Sequence, residues 1–256
     1  MGAPGKVRDN VAGQSSLVTA PFWGHQPLTP HTTMLKGSFD LPVLFDLGAT
    51  FAFALTGALA AIKRHYDIVG VLALALVSGI GGGLIRDGIF IQQSLTPLLT
   101  TPDYLYTVAA AVAASLFFGQ QVHRFHRLIA WVDALGLGAY AAFGVQKALT
   151  AGLPPSAAVL IGVINAVGGG LLRDVLTREE PLVFKPGQFY LLTALAGAVT
   201  FICAGVYLSI SATQSALLAM AVTFLFRSIT IAFNWRTAPV SSGAIFTQGG
   251  DPPARP

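Results

Sequence analysis

The sequence predicts an all-α integral membrane protein with seven transmembrane helices, arranged as two inverted three-helix repeats followed by a seventh helix. Of the 256 residues, 54% are hydrophobic and only 10% are charged, whereas a soluble domain carries about a quarter of its residues as charge. Apolar stretches long enough to cross a bilayer follow one another along the chain. A glycine-rich motif ending in Arg-Asp occurs in two of them, which indicates an internal duplication.

The predicted membrane domain covers residues 41–236 and contains seven stretches close to the length of about 20 apolar residues that a spanning helix needs. These stretches are residues 43–62, 68–91, 104–120, 131–149, 156–176, 189–210 and 215–233. Aromatic residues at span ends are expected to anchor the helices at the membrane surface, among them Tyr104 and Trp131.

The two ends of the chain differ in composition from the membrane domain. Residues 1–40 are rich in Pro, Gly, Ser, Thr and Gln and hold no continuous apolar run of the kind found in a signal peptide. Residues 237–256 are also rich in Pro, Gly and Ser and cannot bury enough apolar surface to fold. The sequence therefore predicts a mobile N-terminal tail and a disordered C-terminal tail.

The duplicated motif, Gly-Gly-Gly-Leu-x-Arg-Asp, covers residues 81–87 and returns at residues 168–174, an offset of 87 residues. The same offset aligns Asp46 with Asp133, and further small residues follow in the same register. Each unit contains three spans, an odd number, so the second copy must enter the membrane from the opposite side. The sequence therefore predicts an inverted repeat.

The two repeats cover about residues 43–120 and 131–210, and the seventh helix, about residues 215–233, lies outside the duplication. Basic residues occur in the first, third and fifth connections and after the seventh span, and the other connections contain none. They are Lys63, Arg64, Arg124, Arg127, Arg178, Lys185 and Arg236. By the positive-inside rule, the N-terminus is outside and the C-terminus is cytoplasmic.

Charged side chains within the spans need partners, because an isolated charge in hydrocarbon costs at least a few kcal/mol. Inversion places Asp46 near Arg86 in the outer half of the bilayer, and Asp133 near Arg173 in the inner half. With the aspartate that follows each arginine, both groups carry a formal charge of minus one, which favours a cation, while two further cations oppose this bias. The complete intramembrane set is Asp46, Arg86, Asp87, Asp133, Arg173, Asp174, Arg227 and Lys147.

The two glycine triplets are the candidate pore or hinge residues: Gly81, Gly82, Gly83, Gly168, Gly169 and Gly170. Each glycine costs roughly 1 kcal/mol relative to alanine inside a helix, so we expect the helix to kink or open there. Freed carbonyl groups would then coordinate a dehydrated cation, as in selectivity filters. The alternative is close helix packing, which small residues also permit.

A family resemblance rests on several of these segments. They are Phe45-Asp46-Leu47-Gly48, the two glycine-arginine-aspartate blocks, Trp131-Val132-Asp133-Ala134-Leu135-Gly136 and Arg227 within the last span. Over about residues 41–236 the chain resembles the prokaryotic trimeric intracellular cation channel family, which is also known as the glycine transporter domain family. The long N-terminal tail is not part of that pattern.

This resemblance implies a homotrimer with a separate pore inside each seven-span subunit, and passive permeation of K⁺ and other monovalent cations such as Na⁺. It also implies that the glycine-bearing second and fifth spans line or gate the pore. Membrane lipid is an expected partner, and no cofactor, resident metal or nucleic acid is expected. The short connections and the basic cytoplasmic side favour a prokaryotic inner membrane.

Three functional hypotheses stay open at this point. A cation channel uses the glycine segments as a hydrated constriction, whereas a secondary carrier for a small amino acid such as glycine uses the repeats for alternating access. A membrane scaffold keeps the glycines for packing alone. An enzyme is not expected, because the sequence suggests no nucleophile and no metal-ligand set; the pair His123 and His126 is interpreted as part of a basic cytoplasmic loop.

Overall fold

The computed structural model describes residues 40–92, 100–118, 126–185 and 189–233. Within these residues the chain forms seven α-helices: α1 (Val43–Lys63), α2 (Ile68–Ile85), α3 (Asp103–Phe118), α4 (His126–Thr150), α5 (Pro155–Leu176), α6 (Tyr190–Ile202) and α7 (Ala212–Ala232). π-helical turns extend α2 over Arg86–Ile91 and α6 over Cys203–Tyr207. The two predicted tails lie outside the described residues, apart from Asp40.

Each predicted span coincides with one helix, and the protein is an all-helical membrane protein. Six helices, counting the π-helical extensions, are long and apolar enough to cross a bilayer. For example, α1 has 21 residues and α5 has 22, and each is therefore about 30 Å long, which matches the hydrocarbon core. The third helix, α3, is apolar but shorter, with 16 residues, and the end of the predicted span at residues 119–120 is not described.

Different residues begin the two helices that carry the glycine triplets. The side chain of Asp67 accepts a hydrogen bond from the Gly70 backbone N–H at 2.8 Å and so caps the start of α2. In contrast, α5 begins at Pro155, where the ring presets a helical backbone angle and the missing N–H is not needed. The repeat-equivalent helices α2 and α5 therefore begin differently, one with a capping side chain and the other with proline.

The helix contacts follow the duplication. In the first half, α1 packs against α2 and α3, and in the second half α4 packs against α5 and α6. The halves meet where α2 contacts α5 and α1 contacts α4, while α7 packs on α4 and α6. The four helices α1, α2, α4 and α5 thus form the centre of the described part.

The distribution of polar and apolar side chains is that of a protein dissolved in lipid. Large apolar side chains point outward, such as Leu44 at 74% exposure and Phe117 at 85%. Charged side chains are buried at the centre, and Arg86 is only 1% exposed. A soluble protein would show the opposite pattern, because in water the free energy is lower when apolar surface is buried and charged groups are exposed.

The glycine triplets differ from the sequence prediction. Gly81 to Gly83 and Gly168 to Gly170 lie within uninterrupted α-helix, so the expectation that the helices open there is wrong for this structure. The irregularity instead begins at Arg86, where α2 widens into a π-helical turn that ends at Gln92 with a left-handed φ of 47°.

Close packing explains why the triplets remain helical. A Cβ added at Gly82 would collide with the backbone oxygen of Asn165, and one added at Gly169 would collide with that of Ser78. The backbones of α2 and α5 are therefore in contact, which is the role that small residues have in membrane helix pairs. Van der Waals packing between the two backbones offsets the low helix propensity of glycine.

Replacing Gly82 or Gly169 with alanine should lower thermal stability in detergent, because the new methyl group overlaps a backbone carbonyl of the facing helix. Overpacking of this kind costs about 1–3 kcal/mol. Gly48 on α1 is the matched control, since no described atom outside its own helix lies within 4 Å of an added Cβ. Gly48→Ala should leave stability unchanged or raise it slightly, and equal behaviour of all three variants would contradict the packing explanation.

Candidate functional site

One group of buried charges, the Asp46 cluster, consists of Asp46, Arg86, Asp87, Tyr104 and Lys147. Arg86 donates two hydrogen bonds to its neighbour Asp87, at 2.6 and 2.9 Å, and its Nη1 lies 3.8 Å from Asp46 Oδ1. The Tyr104 hydroxyl donates to Asp46 Oδ2 at 2.6 Å. Lys147 Nζ lies 3.6 Å from Asp87 Oδ2. The cluster joins four helices, α1 to α4, through one guanidinium group.

Two further residues surround the Arg86 guanidinium group. It lies 5.3 Å from the centre of the Phe143 ring on α4, a cation–π contact. Its Nη1 donates to Asn165 Oδ1 on α5 at 3.4 Å, and Asn165 Nδ2 in turn donates to the backbone oxygen of Tyr140 at 2.7 Å. The amide of Asn165 therefore links the charge cluster to the main chain of α4.

A second group, the Asp133 cluster, consists of Asp133, Arg173, Asp174, Tyr190 and Arg227. Arg173 donates to Asp133 Oδ1 at 3.0 Å and to Asp174 Oδ1 at 2.9 Å. The Arg227 guanidinium group lies 5.3 Å from the centre of the Tyr190 ring. This cluster joins α4 to α7, so the seventh helix contributes a charge to a site otherwise built from the second half.

Both ion pairs predicted from the sequence are present, Asp46 with Arg86 and Asp133 with Arg173. Each cluster also contains one of the opposing cations, Lys147 or Arg227. Two carboxylates and two cationic side chains give each cluster a formal charge of zero, so the predicted negative bias is balanced within the site. Neutral clusters are the arrangement expected where charges are removed from water.

A cavity of about 450 Å³ opens onto the Asp133 cluster. Beyond Asp133, Arg173, Asp174 and Arg227, its lining consists of Thr56, Leu59, Ala60, Lys63, Ile129, Ala130, Thr177, Glu179, Glu180, Leu182, Lys185 and Ile231. The lining changes from buried charge at its inner end to charged residues of the helix connections at its mouth. The Asp133 cluster therefore forms the charged inner end of this cavity.

The mouth of the cavity carries an exposed ion pair. Arg64 Nη2 lies 3.1 Å from Glu179 Oε1 and joins the connection after α1 to the connection after α5. Partial burial acts to raise the pKa of Glu179, but the hydrogen bond from Arg64 and the charge of Lys63 outweigh it and lower the pKa below its usual value. Glu179 is therefore ionised at neutral pH.

The glycine triplets are not members of either cluster; they precede Arg86 and Arg173 in the sequence and pack against the facing helix. The Cα of Gly82 would lie 3.0 Å from a Cβ at Gly168, and a Cβ at Gly81 would contact the side chain of Leu172. An added Cβ at Gly170 would lie 3.0 Å from the Tyr190 hydroxyl, beside the Asp133 cluster. Gly83 is buried on the same stretch of α2.

Several residues of the site are not identified by the sequence alone. Tyr104 is predicted to anchor its helix at the membrane surface, but it is 3% exposed and hydrogen-bonded to Asp46. Trp131 is half exposed, as an anchor should be. Phe53, Tyr140 and Asn165 are fully buried, and none of them belongs to the duplicated glycine-arginine-aspartate motif. Their sequence signal is the 87-residue offset, which pairs Phe53 with Tyr140 and Ser78 with Asn165.

The match to a known protein family begins at the start of α1 and ends within the π-helical extension of α6. The family model described as Glycine transporter matches residues 43–121 and 130–205. A UPF0126 membrane protein of Deinococcus radiodurans is 37% identical over 156 residues, 60% of this chain and 71% of the relative. The UPF0126 inner membrane protein YadS of Escherichia coli K12 is 34% identical over 193 residues, 74% of this chain and 91% of the relative.

Two solved structures that share this fold are described as cation channels. The TRIC trimeric intracellular cation channel orthologue from Rhodobacter sphaeroides superposes with a TM-score of 0.70 and 30% identity, over 75% of this chain and 97% of that protein. A second TRIC cation channel gives 0.68 and 29% identity, over 79% and 98%. The chain therefore belongs to the trimeric intracellular cation (TRIC) channel family, whose sequence model is described as Glycine transporter.

Proposed function

We propose that this protein is a channel for monovalent cations, chiefly K⁺, with one conduction route inside each protomer between the α1–α3 half and the α4–α6 half. The observation that carries the proposal is the likeness to solved TRIC cation channels over three quarters of the chain. Buried charge clusters at two depths of the molecule support it, because charges within a membrane protein mark ion pathways.

Reciprocal contacts support the inverted repeat. Gly82 on α2 packs on the backbone of Asn165, and its repeat equivalent Gly169 packs on the backbone of Ser78, the equivalent of Asn165. The ion pairs Asp46–Arg86 and Asp133–Arg173 are related in the same way. Contacts that exchange equivalent residues are those that a two-fold axis between the halves produces.

One face of α1 supports the position of the route. Asp46, Thr50, Phe53 and Thr56 are spaced by three or four residues and so lie on one side of the helix. Asp46 belongs to the first cluster, whereas Thr56 accepts a hydrogen bond from Arg173 of the second at 2.9 Å. A mostly polar stripe thus joins the two clusters along the interface with α4.

The balanced charge of the clusters suits a channel. Conduction requires that an ion bind favourably enough to enter and weakly enough to leave. Carboxylates such as Asp133 attract a cation, while the neighbouring Arg173 and Arg227 keep the attraction modest. The glycine triplets let α2 and α5 approach closely. We propose that these two helices line the route beside the clusters.

We also propose that the protein is a homotrimer in a bacterial inner membrane, with permeating K⁺ or Na⁺ as its only ligands besides lipid. The structural relative from Rhodobacter sphaeroides is described as trimeric, and the Escherichia coli relative is described as an inner membrane protein. The distribution of Lys and Arg favours an outside N-terminus and a cytoplasmic C-terminus.

A carrier for a small amino acid such as glycine is the second candidate. The family model is described as Glycine transporter. The cavity also suits a zwitterion, since its lining holds cationic side chains such as Lys63 and Arg227 together with carboxylates such as Glu179 and Asp133. Transport at the interface of inverted repeats is compatible with either mechanism.

Purified protein in liposomes distinguishes the two candidates. The channel proposal expects K⁺ flux that follows the electrochemical gradient and resolves into unitary currents in a planar bilayer. Saturable uptake of labelled glycine, coupled to an ion gradient and without unitary currents, would support the carrier instead. Absence of both activities from a trimeric, monodisperse preparation would reject transport by this protein.

Asp133→Asn should reduce K⁺ flux several-fold and weaken the preference for cations over anions, because it removes one carboxylate at the inner end of the cavity. The preference is measured as the reversal potential across a KCl gradient. Asp103→Asn is the matched control, because Asp103 is exposed at the start of α3. An Asp133→Asn protein that elutes as wild type and keeps full flux and selectivity would contradict a role for the cluster in permeation.

Membrane topology provides an independent prediction. A fluorescent reporter fused after residue 233 should fluoresce in the cytoplasm, whereas the same reporter inserted at Gly152, between α4 and α5, should be translocated and remain dark. Alkaline phosphatase at both positions should give the opposite activities. Identical behaviour of the two positions would reject the proposed orientation.

A further inference from the structure

We propose that the stacked rings of Phe53 and Tyr140 are the constriction of the conduction route, and that the Tyr140 hydroxyl holds this constriction shut. The inference rests on the proposed channel function and assigns its closed gate to two residues at the centre of the protein. The centres of the two rings are 5.4 Å apart and their planes differ by 12°. Both side chains are fully buried.

The rings lie between the two charge clusters. On α1, Phe53 follows Asp46 by seven residues, about 10 Å of helix, and precedes Lys63 at the cavity mouth by about 15 Å. Thr56, one turn beyond Phe53, lines the cavity, while Phe53 itself does not. On α1 the cavity therefore ends one turn short of the aromatic pair. The stacked faces are apolar, so a hydrated cation can pass only if the rings move apart.

The Tyr140 hydroxyl connects three of the four central helices. It donates to the backbone oxygen of Gly79 on α2 and lies 2.8 Å from Thr50 Oγ1 on α1. Since the one Tyr140 hydroxyl proton goes to Gly79, Thr50 is the donor in this contact, and its Oγ1 also lies 2.8 Å from the backbone oxygen of Asp46. Because Tyr140 is part of α4, its hydroxyl fixes α4 to both α1 and α2 at the level of the stack.

The repeat equivalents of these groups cannot form the same attachment. Phe53 stands at the position equivalent to Tyr140 and has no hydroxyl, while Leu137 stands opposite Thr50 in the alignment. The contacts of the Tyr140 hydroxyl therefore lie on the side of the ring stack that faces the Asp46 cluster. The cavity lies on the other side of the stack, at the Asp133 cluster. This difference between the halves favours a gate that closes toward the Asp46 cluster.

Tyr140→Phe tests the inference, because it keeps the ring and the stack and removes only the hydroxyl. Loss of its hydrogen bonds should raise the K⁺ flux of liposomes about 3- to 10-fold, by favouring the separated rings. Thr50→Val, which removes one partner of the hydroxyl, should act in the same direction. Tyr106→Phe is the matched control, since Tyr106 is exposed on α3, and it should conduct as wild type.

Phe53→Leu provides a second measurement that does not depend on the hydroxyl. Leucine keeps an apolar side chain but cannot stack, so the variant should also conduct more than wild type. Wild-type flux in folded, trimeric Tyr140→Phe and Phe53→Leu proteins would overturn the assignment of the constriction while leaving the channel function intact. Absence of K⁺ flux from wild type and from every variant would instead reject the proposed function.

Discussion

The burial of Arg86 and Arg173 within the membrane domain is the constraint on which the rest of the structure depends. A guanidinium group in hydrocarbon is costly unless carboxylates neutralise it and its N–H groups find acceptors. Arg86 and Arg173 each receive one carboxylate from the next residue and a second from another helix, Asp46 or Asp133. These pairs tie α2 to α1 and α5 to α4, and thereby fix the centre of each half.

Close approach of α2 and α5 is the second requirement. The arginines follow the glycine triplets directly in sequence, so their positions depend on how the triplets pack. Contact between Gly82 and the backbone of Asn165 also brings the Asn165 amide within hydrogen-bond distance of Arg86. Helix packing and charge neutralisation are therefore coupled, and a bulkier residue at Gly82 would disturb both.

The duplication is nearly symmetric in backbone contacts and asymmetric in side-chain chemistry. The stacked rings come from equivalent positions, yet only Tyr140 carries a hydroxyl, and the partner of Asn165 in the alignment is Ser78. Additional hydrogen bonds consequently lie on one side of the centre, and the cavity lies on the other. The repeat-related helices are arranged symmetrically, but the Asp46 and Asp133 sides of the ring stack differ, which suits a route that closes on one side only.

The sequence by itself determined the helices and the charge pairs, because apolar length, the adjacency of Arg and Asp and the 87-residue offset are properties of the chain. The sequence wrongly predicted that the helices open at the glycine triplets, because helix propensity depends only on the local residues. The packing that keeps the triplets helical depends on α5 facing α2. The sequence also misjudged Tyr104, because a span-end tyrosine suits the membrane surface unless a buried carboxylate lies within reach. The 87-residue offset pairs Phe53 with Tyr140, but only the tertiary structure decided that their rings stack, since folding brings α1 against α4.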